Sequence, residues 1–136
     1  LRQLVLDAGP LIAFFYAKDT EHEICRAGFE QLLTTNASLL TPIPVVFEVY
    51  KWLLQRTNPA VAQATLAVMQ DTLRFIPLSQ QNFDEVYLMV QALPQWQGSL
   101  EDATVILLAQ HYNCPVWTLN YRDFGIFKFL EFWNPE

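Results

Sequence analysis

The strongest constraint on the fold is an alternation that recurs along the chain: a short apolar run, a turn or capping residue, then a segment with helical spacing. Leu4, Val5 and Leu6 form the first run, with Asp7, Gly9 and Pro10 behind it, and Pro10 suits the first position of a helix through Phe15. Thr20-Glu21-His22-Glu23 has capping-box spacing ahead of Ile24, Ala27, Phe29, Leu32 and Leu33, which predicts a second helix. Leu39 and Leu40 read as a strand that stops at Thr41-Pro42-Ile43-Pro44, and Val45, Val46, Val49, Trp52 and Leu53 read as a third helix. Asn58-Pro59 opens a fourth through about Met69. Leu73 to Leu78 is strand-like, Ser79 starts a helix through Val90, and Gly98-Ser99 starts another through Ala109. Pro115 to Leu119 supplies a strand, and the aromatic stretch Phe127 to Trp133 reads as an edge strand. Strands alternating with helices predict one α/β domain over residues 1–136, with a mainly parallel sheet covered on both faces. Such sheets carry their chemistry just beyond the carboxyl ends of the strands.

Composition narrows the classes of function. A chain of 136 residues buries about two-thirds of its unfolded surface and needs no covalent staples. Only 8 Lys and Arg stand against 14 Asp and Glu, a net charge of −6, which argues against a non-specific nucleic-acid coat. The same excess of acid is compatible with bound divalent ions, whose charge would offset part of it. Cys25 and Cys114 lie far apart, outside any CxxC or Cys/His grouping, so neither a disulfide framework nor a zinc site is implied, and a reduced, cytoplasmic setting is expected. His22 and His111 lack ligand spacing and read as ordinary helix-surface residues. The apolar runs Pro10–Ala17 and Ala103–Ala109 are too short to span a bilayer, and the expectation is a soluble protein with no membrane partner.

Four carboxylates stand where the alternating pattern puts chemistry. Asp7 follows the first apolar run in LVLDAGPLIAFF, where helix capping and metal ligation are both open to it. Glu48 lies in the otherwise apolar PIPVVFEVYKWLLQ, where it could also face water beside Lys51. Asp102 lies in GSLEDATVILLAQ at capping distance from Ser99, while Glu101 is set aside because its side chain should point about 100° away around the helix. Asp123 sits in TLNYRDF, where a turn aspartate is the simpler account. Taken together, the four are expected to converge at one edge of the sheet. Crowded carboxylates repel one another unless a cation neutralises them, and hard cations such as Mg²⁺ and Mn²⁺ take oxygen ligands of this kind.

The succession LVLDAGPLIAFF, TPIPVVFEVYKWLL, GSLEDATVILLAQ and CPVWTLNYRDF resembles the PIN-domain family and, within it, the VapC-type toxins and their relatives. The resemblance runs in order over nearly the whole chain. It implies a three-layer α/β/α fold with a mainly parallel central sheet, and a Mg²⁺- or Mn²⁺-dependent endoribonuclease, the toxin of a toxin–antitoxin pair. Carried over by position, Asp7, Glu48 and Asp102 match the family's first three acids. Many relatives have Thr-x-Asp where this chain has Thr118-Leu119-Asn120; others have Thr-x-Asn-x-x-Asp-Phe, which Thr118, Asn120, Asp123 and Phe124 match. The fourth acid is therefore assigned to Asp123, with Thr118 and Asn120 orienting the site. Asp7, Asp102 and Asp123 would hold the metal, and Glu48 would complete the cluster directly or through water. Arg122, Lys51 and Arg56 are the nearest candidates for phosphate contacts, a solvated surface role being equally open to each.

Two further readings stand beside this one. The chain could be a catalytically weak or vestigial PIN-like binding module, with Phe14, Phe15, Tyr16 and Trp52 lining a groove for an antitoxin-like peptide, although most such residues belong to cores. It could equally cut DNA with the same metal chemistry, since nothing in the sequence reads a 2′-hydroxyl. The expected partners are an RNA substrate, an antitoxin protein and a second copy in a homodimer.

Overall fold

The computed structural model describes residues 1–136 and contains four strands and seven helices. They run in the order β1 (Gln3–Leu6), α1 (Ala8–Phe15), α2 (His22–Leu33), β2 (Ser38–Pro42), α3 (Ile43–Arg56), α4 (Pro59–Thr72), β3 (Arg74–Ile76), α5 (Gln80–Gln91), α6 (Leu100–Tyr112), β4 (Val116–Trp117) and α7 (Tyr121–Phe124). All pairings are parallel and the sheet order is β3-β2-β1-β4. Leu4 pairs with Leu39 and Leu6 with Trp117, so β1 is the central strand, and Leu4, Val5 and Leu6 are fully buried. The architecture is the three-layer α/β/α arrangement. The chain adds β2 and β3 on one side of β1 and then returns to add β4 on the other, which makes the β1/β4 boundary a topological switch point.

Local signals explain most boundaries. Asn58 Oδ1 accepts the Val61 N–H at the start of α4, and Ser79 and Ser99 both form reciprocal capping boxes, with Asn82 and Asp102 respectively. Helix α6 ends on Asn113 at φ 48°, a left-handed position that asparagine tolerates better than most residues. Seven consecutive residues, Ala103 to Ala109, are buried, because α6 packs on the sheet and against α3 and α5 at once. An apolar run without a polar face is what such a central helix requires. Gly28 on α2 permits close packing over β4: a Cβ there would lie 2.6 Å from the Trp117 ring, an overlap whose relief costs about 1–3 kcal/mol.

Three expectations need correction. The Thr20–Glu23 capping box is not formed: Glu21 occupies the cap position without a side-chain bond, and Asp19 Oδ1 instead accepts the Glu21 N–H at 2.8 Å. The aromatic stretch Phe127–Trp133 is not a strand. It pairs with the sheet only through one parallel bridge, Phe132 to Val116, with the Val116 N–H donating to Glu131 O and the Trp133 N–H to Val116 O. Its aromatic residues pack inward instead, Phe127 against Trp96 and Trp133 against Trp117. The strands predicted at 73–78 and 115–119 shorten to Arg74–Ile76 and Val116–Trp117. No helix is long and apolar enough to cross a membrane.

Candidate metal centre

Asp7 is the residue directly after β1, and its backbone N–H donates to Trp117 O at 3.0 Å, fixing it across the β1/β4 boundary. Its side chain forms no capping bond. One oxygen, Oδ2, accepts the Thr118 hydroxyl at 2.8 Å, while Oδ1 is buried with no partner at all. Burial pushes this carboxyl up to about 6; the Thr118 hydrogen bond opposes the rise, and the charge on Asp102 adds to it.

Glu48 on α3 is partly buried, and its Oε1 likewise has no partner. Its pKa reaches about 7, first through burial and then through the negative charges of Asp7, Glu101 and Asp102. Asp102 occupies the third position of α6, where Oδ2 accepts the Ser99 N–H at 3.1 Å. Desolvation raises its pKa, with Asp123 and Glu101 adding to the rise and the Ser99 hydrogen bonds opposing it. Mutual electrostatic influence therefore links all four acids.

The β4–α7 junction ties these groups together. The Thr118 hydroxyl donates to Asp7 and accepts the Asn120 N–H at 2.9 Å. Asn120 Nδ2 donates to Asp123 Oδ2 at 2.9 Å and lies 3.4 Å from Asp102 Oδ2, so one amide group bridges two carboxylates. Asn120 Oδ1 also accepts the Asp123 N–H, which caps α7. Asp123 is buried yet fully satisfied: Arg122 Nε donates to Oδ1 at 3.1 Å and Arg122 Nη2 to Oδ2 at 3.0 Å. Those bonds to Arg122, and then the one from Asn120, hold its pKa below the ordinary aspartate value.

No group of three or more His, Cys, Asp or Glu side chains is gathered closely enough to hold a metal ion. The donor chemistry nevertheless fits a hard divalent ion. Two buried carboxylate oxygens, Asp7 Oδ1 and Glu48 Oε1, lack any partner, and buried polar atoms in that condition are uncommon and costly. Asp102 and Asp123 differ in having no buried oxygen left without a partner.

A family model described as the PIN domain matches residues 4–129. The chain belongs to the PIN-domain family. Comparison with curated proteins gives no match. Among solved structures, this PIN domain superposes on the sarcin–ricin-loop-cleaving toxin VapC20 of Mycobacterium tuberculosis with a TM-score of 0.79 and 14% identity, covering 90% of this chain and 94% of that one. It superposes on VapBC from Salmonella typhimurium, solved bound to DNA, with a TM-score of 0.75 and 16% identity over 98% of each chain. VapBC2 from Rickettsia felis, bound to a promoter fragment, gives 0.72 and 16%, covering 97% of this chain and 99% of that one. At such identities the likeness is one of fold.

Within this PIN domain, the candidates for phosphate contacts separate. Lys51 lines an open groove of about 640 Å³ with Phe47, Glu48, Pro77 and Glu101. Arg56 lines none of the grooves described and lies over the Trp52 ring, 4.8 Å from its centroid. Arg122 is paired with Asp123. Phe15, Tyr16 and Trp52 pack against the core instead of lining an open groove, with Tyr16 edge-on to Trp52. Glu101, set aside on the sequence, has a charge that bears on Glu48 and Asp102 because α3 packs against α6. The sequence reading missed a second groove of about 570 Å³, lined by Leu93, Gln95, Trp96, Gln97, Arg122 and Asp123. His22 ties α2 to α1 through Ala13 O, and His111 pairs with Glu85, so neither enters the centre.

Proposed function

We propose that this PIN domain is a Mg²⁺- or Mn²⁺-dependent endoribonuclease and the toxin of a toxin–antitoxin pair. The observation that carries the reading is the pair of buried, unpartnered oxygens, Asp7 Oδ1 and Glu48 Oε1, beside two more carboxylates at the switch point of the sheet. Asp7, Asp102 and Asp123 would hold the ion, and Glu48 would complete the set directly or through water. A divalent ion at such a site supplies an activated water and positive charge opposite the scissile phosphate. The protein's own part is positional: Thr118 holds Asp7, and Asn120 holds Asp102 and Asp123 in a fixed relation. No side chain needs to act as a covalent nucleophile. The structural likeness to a toxin that cleaves the sarcin–ricin loop supports RNA as substrate, and the likeness to VapBC complexes supports an antitoxin protein as partner.

The test is cleavage of a panel of structured and single-stranded RNAs, with single-stranded DNA alongside, in Mg²⁺, in Mn²⁺ and in EDTA. Cleavage of RNA that disappears in EDTA and returns with the ion is the expected result. A second reading, a weak or vestigial binding module, draws on the absence of such a close grouping of ligands and on the cation already seated on Asp123. A preparation that binds Mn²⁺ but cuts none of the panel would favour that second reading.

A further inference from the structure

Arg122 and Asp123 are neighbours in sequence, and in a long helix their side chains would diverge by about 100°. Helix α7 is a single turn, Tyr121–Phe124, and there the long arginine side chain curls back to place its planar fork on both oxygens of Asp123. The two partners differ sharply in exposure: the Arg122 side chain is 72% exposed and that of Asp123 only 8%. A buried carboxylate is thus neutralised by a cation standing on its solvent side, and no other acidic group pairs with that cation. Both residues line the groove formed by Leu93, Gln95, Trp96 and Gln97.

Resting on the metal-dependent reading above, we propose that Arg122 is a displaceable cation: it occupies Asp123 while the divalent ion is absent, and yields the carboxylate to the ion when it arrives. Once released, its guanidinium stands in the groove beside Trp96 and takes a backbone phosphate of the RNA strand. A divalent ion drawn to Asp123 repels the guanidinium held on the same carboxylate, and the exposed partner is the one free to leave. Bidentate fork geometry suits phosphate as well as carboxylate, so the same group serves both states. An arginine that merely orients Asp123 for the metal would have the opposite effect on ion affinity.

The experiment measures Mn²⁺ binding to the purified chain by calorimetry without RNA, for wild type, Arg122→Ala and Arg122→Lys. Losing a largely exposed charge-assisted pair should tighten Mn²⁺ binding in Arg122→Ala by roughly threefold to tenfold, with Arg122→Lys in between because it keeps the charge and loses the fork. A short mixed-sequence 2′-O-methyl RNA, which resists cleavage, should bind Arg122→Ala more weakly than wild type in the presence of Mn²⁺. Weaker Mn²⁺ binding in Arg122→Ala would make Arg122 an orienting residue and overturn the proposal. Arg122→Lys indistinguishable from wild type, with only Arg122→Ala tighter, would reduce the effect to net charge and overturn the clamp. Unchanged RNA affinity would overturn the phosphate contact. Wild-type protein that binds no Mn²⁺ would overturn the metal-dependent reading and this proposal with it, whereas Mn²⁺ binding unaffected by either substitution would overturn this proposal alone.

Discussion

Asp7 and Glu48, against Asp102 and Asp123, carry the same functional group in different circumstances. In the first pair, Asp7 buried and Glu48 partly buried, each residue has an oxygen lacking any partner, and desolvation raises their pKa values to about 6 and about 7. The second pair is held by donors from Ser99, Asn120 and Arg122. Two orphaned oxygens are costly in a resting protein and make chemical sense where a cation visits, while prearranged donors fix the geometry before it comes. The first pair supplies vacancy and the second supplies order.

The largest effect should come from removing the charge of Asp7 or of Asp102. Asp7→Asn is expected to lower RNA cleavage by at least about a hundredfold, because the ion loses a charged ligand, and Asp102→Asn should do the same. Asp7→Asn should not unfold the protein; relieving a buried charge beside other acids leaves the metal-free melting temperature unchanged or higher near neutral pH. Wild-type cleavage by both variants would end the assignment of these acids to the metal.

At Asp123 and Asn120 the effects should be smaller and of two signs. Asp123→Asn is expected to raise the Mg²⁺ needed for half-maximal cleavage by about tenfold, since the amide keeps the shape and loses the charge. Asn120→Asp keeps the acceptor that caps α7 and exchanges the bridging donor for a third carboxylate, so the Mg²⁺ requirement should fall or stay level. If Asp123→Asn were silent and Asn120→Asp created activity absent from wild type, the chain would be a partner-binding relative that lacks its last acid.

Acidity offers a finer contrast. Asp7 and Glu48 hold protons more tightly folded than unfolded, so between about pH 4 and pH 7 the native state binds the excess protons, and stability from these groups falls as pH rises. Without divalent ions, the melting temperature should be several degrees lower at about pH 7.5 than at about pH 5.5, and Glu48→Gln should flatten that slope. The rise in melting temperature caused by Mn²⁺ should run the other way and grow with pH, because the ion needs these groups ionised. A slope unaltered by Glu48→Gln would mean that other groups set it. The smallest expected change is for Thr118→Val, which removes the donor to Asp7 and an acceptor for Asn120. It should cost about 1–2 kcal/mol in denaturant unfolding and push the Asp7 pKa higher still.

Much of the frame was legible because it rests on local chemistry. Ser99 and Asp102 announced a capping box in the sequence, and the box is formed; the same spacing also delivers Asp102 to the cleft. The alternation of runs and helices gave the parallel sheet, since each strand needs a crossover to its neighbour. What failed depended on tertiary competition. Asp19, outside the Thr20 motif, took the backbone donor that anchors the start of α2. Phe127 to Trp133 has the residues of a strand, but its rings find better burial against Trp96 and Trp117 than a ladder would give them. Glu101 was discounted by helical geometry that ignores the neighbouring α3, and the Arg122–Asp123 pairing arises because a one-turn helix imposes no lasting divergence on adjacent side chains.

The bridge between Phe132 and Val116 has a consequence for how copies of this chain can meet. It places a length of chain along β4, and the Glu131 carbonyl and Trp133 amide use the hydrogen-bonding groups of Val116 that an incoming strand would seek. At the opposite margin β3 is only three residues long, begins with an exposed arginine and is followed by Pro77, features that discourage strand addition. Neither margin therefore offers a template for ladder extension. Self-association by a continuous intermolecular sheet, a common hazard of open sheets, is disfavoured at both margins.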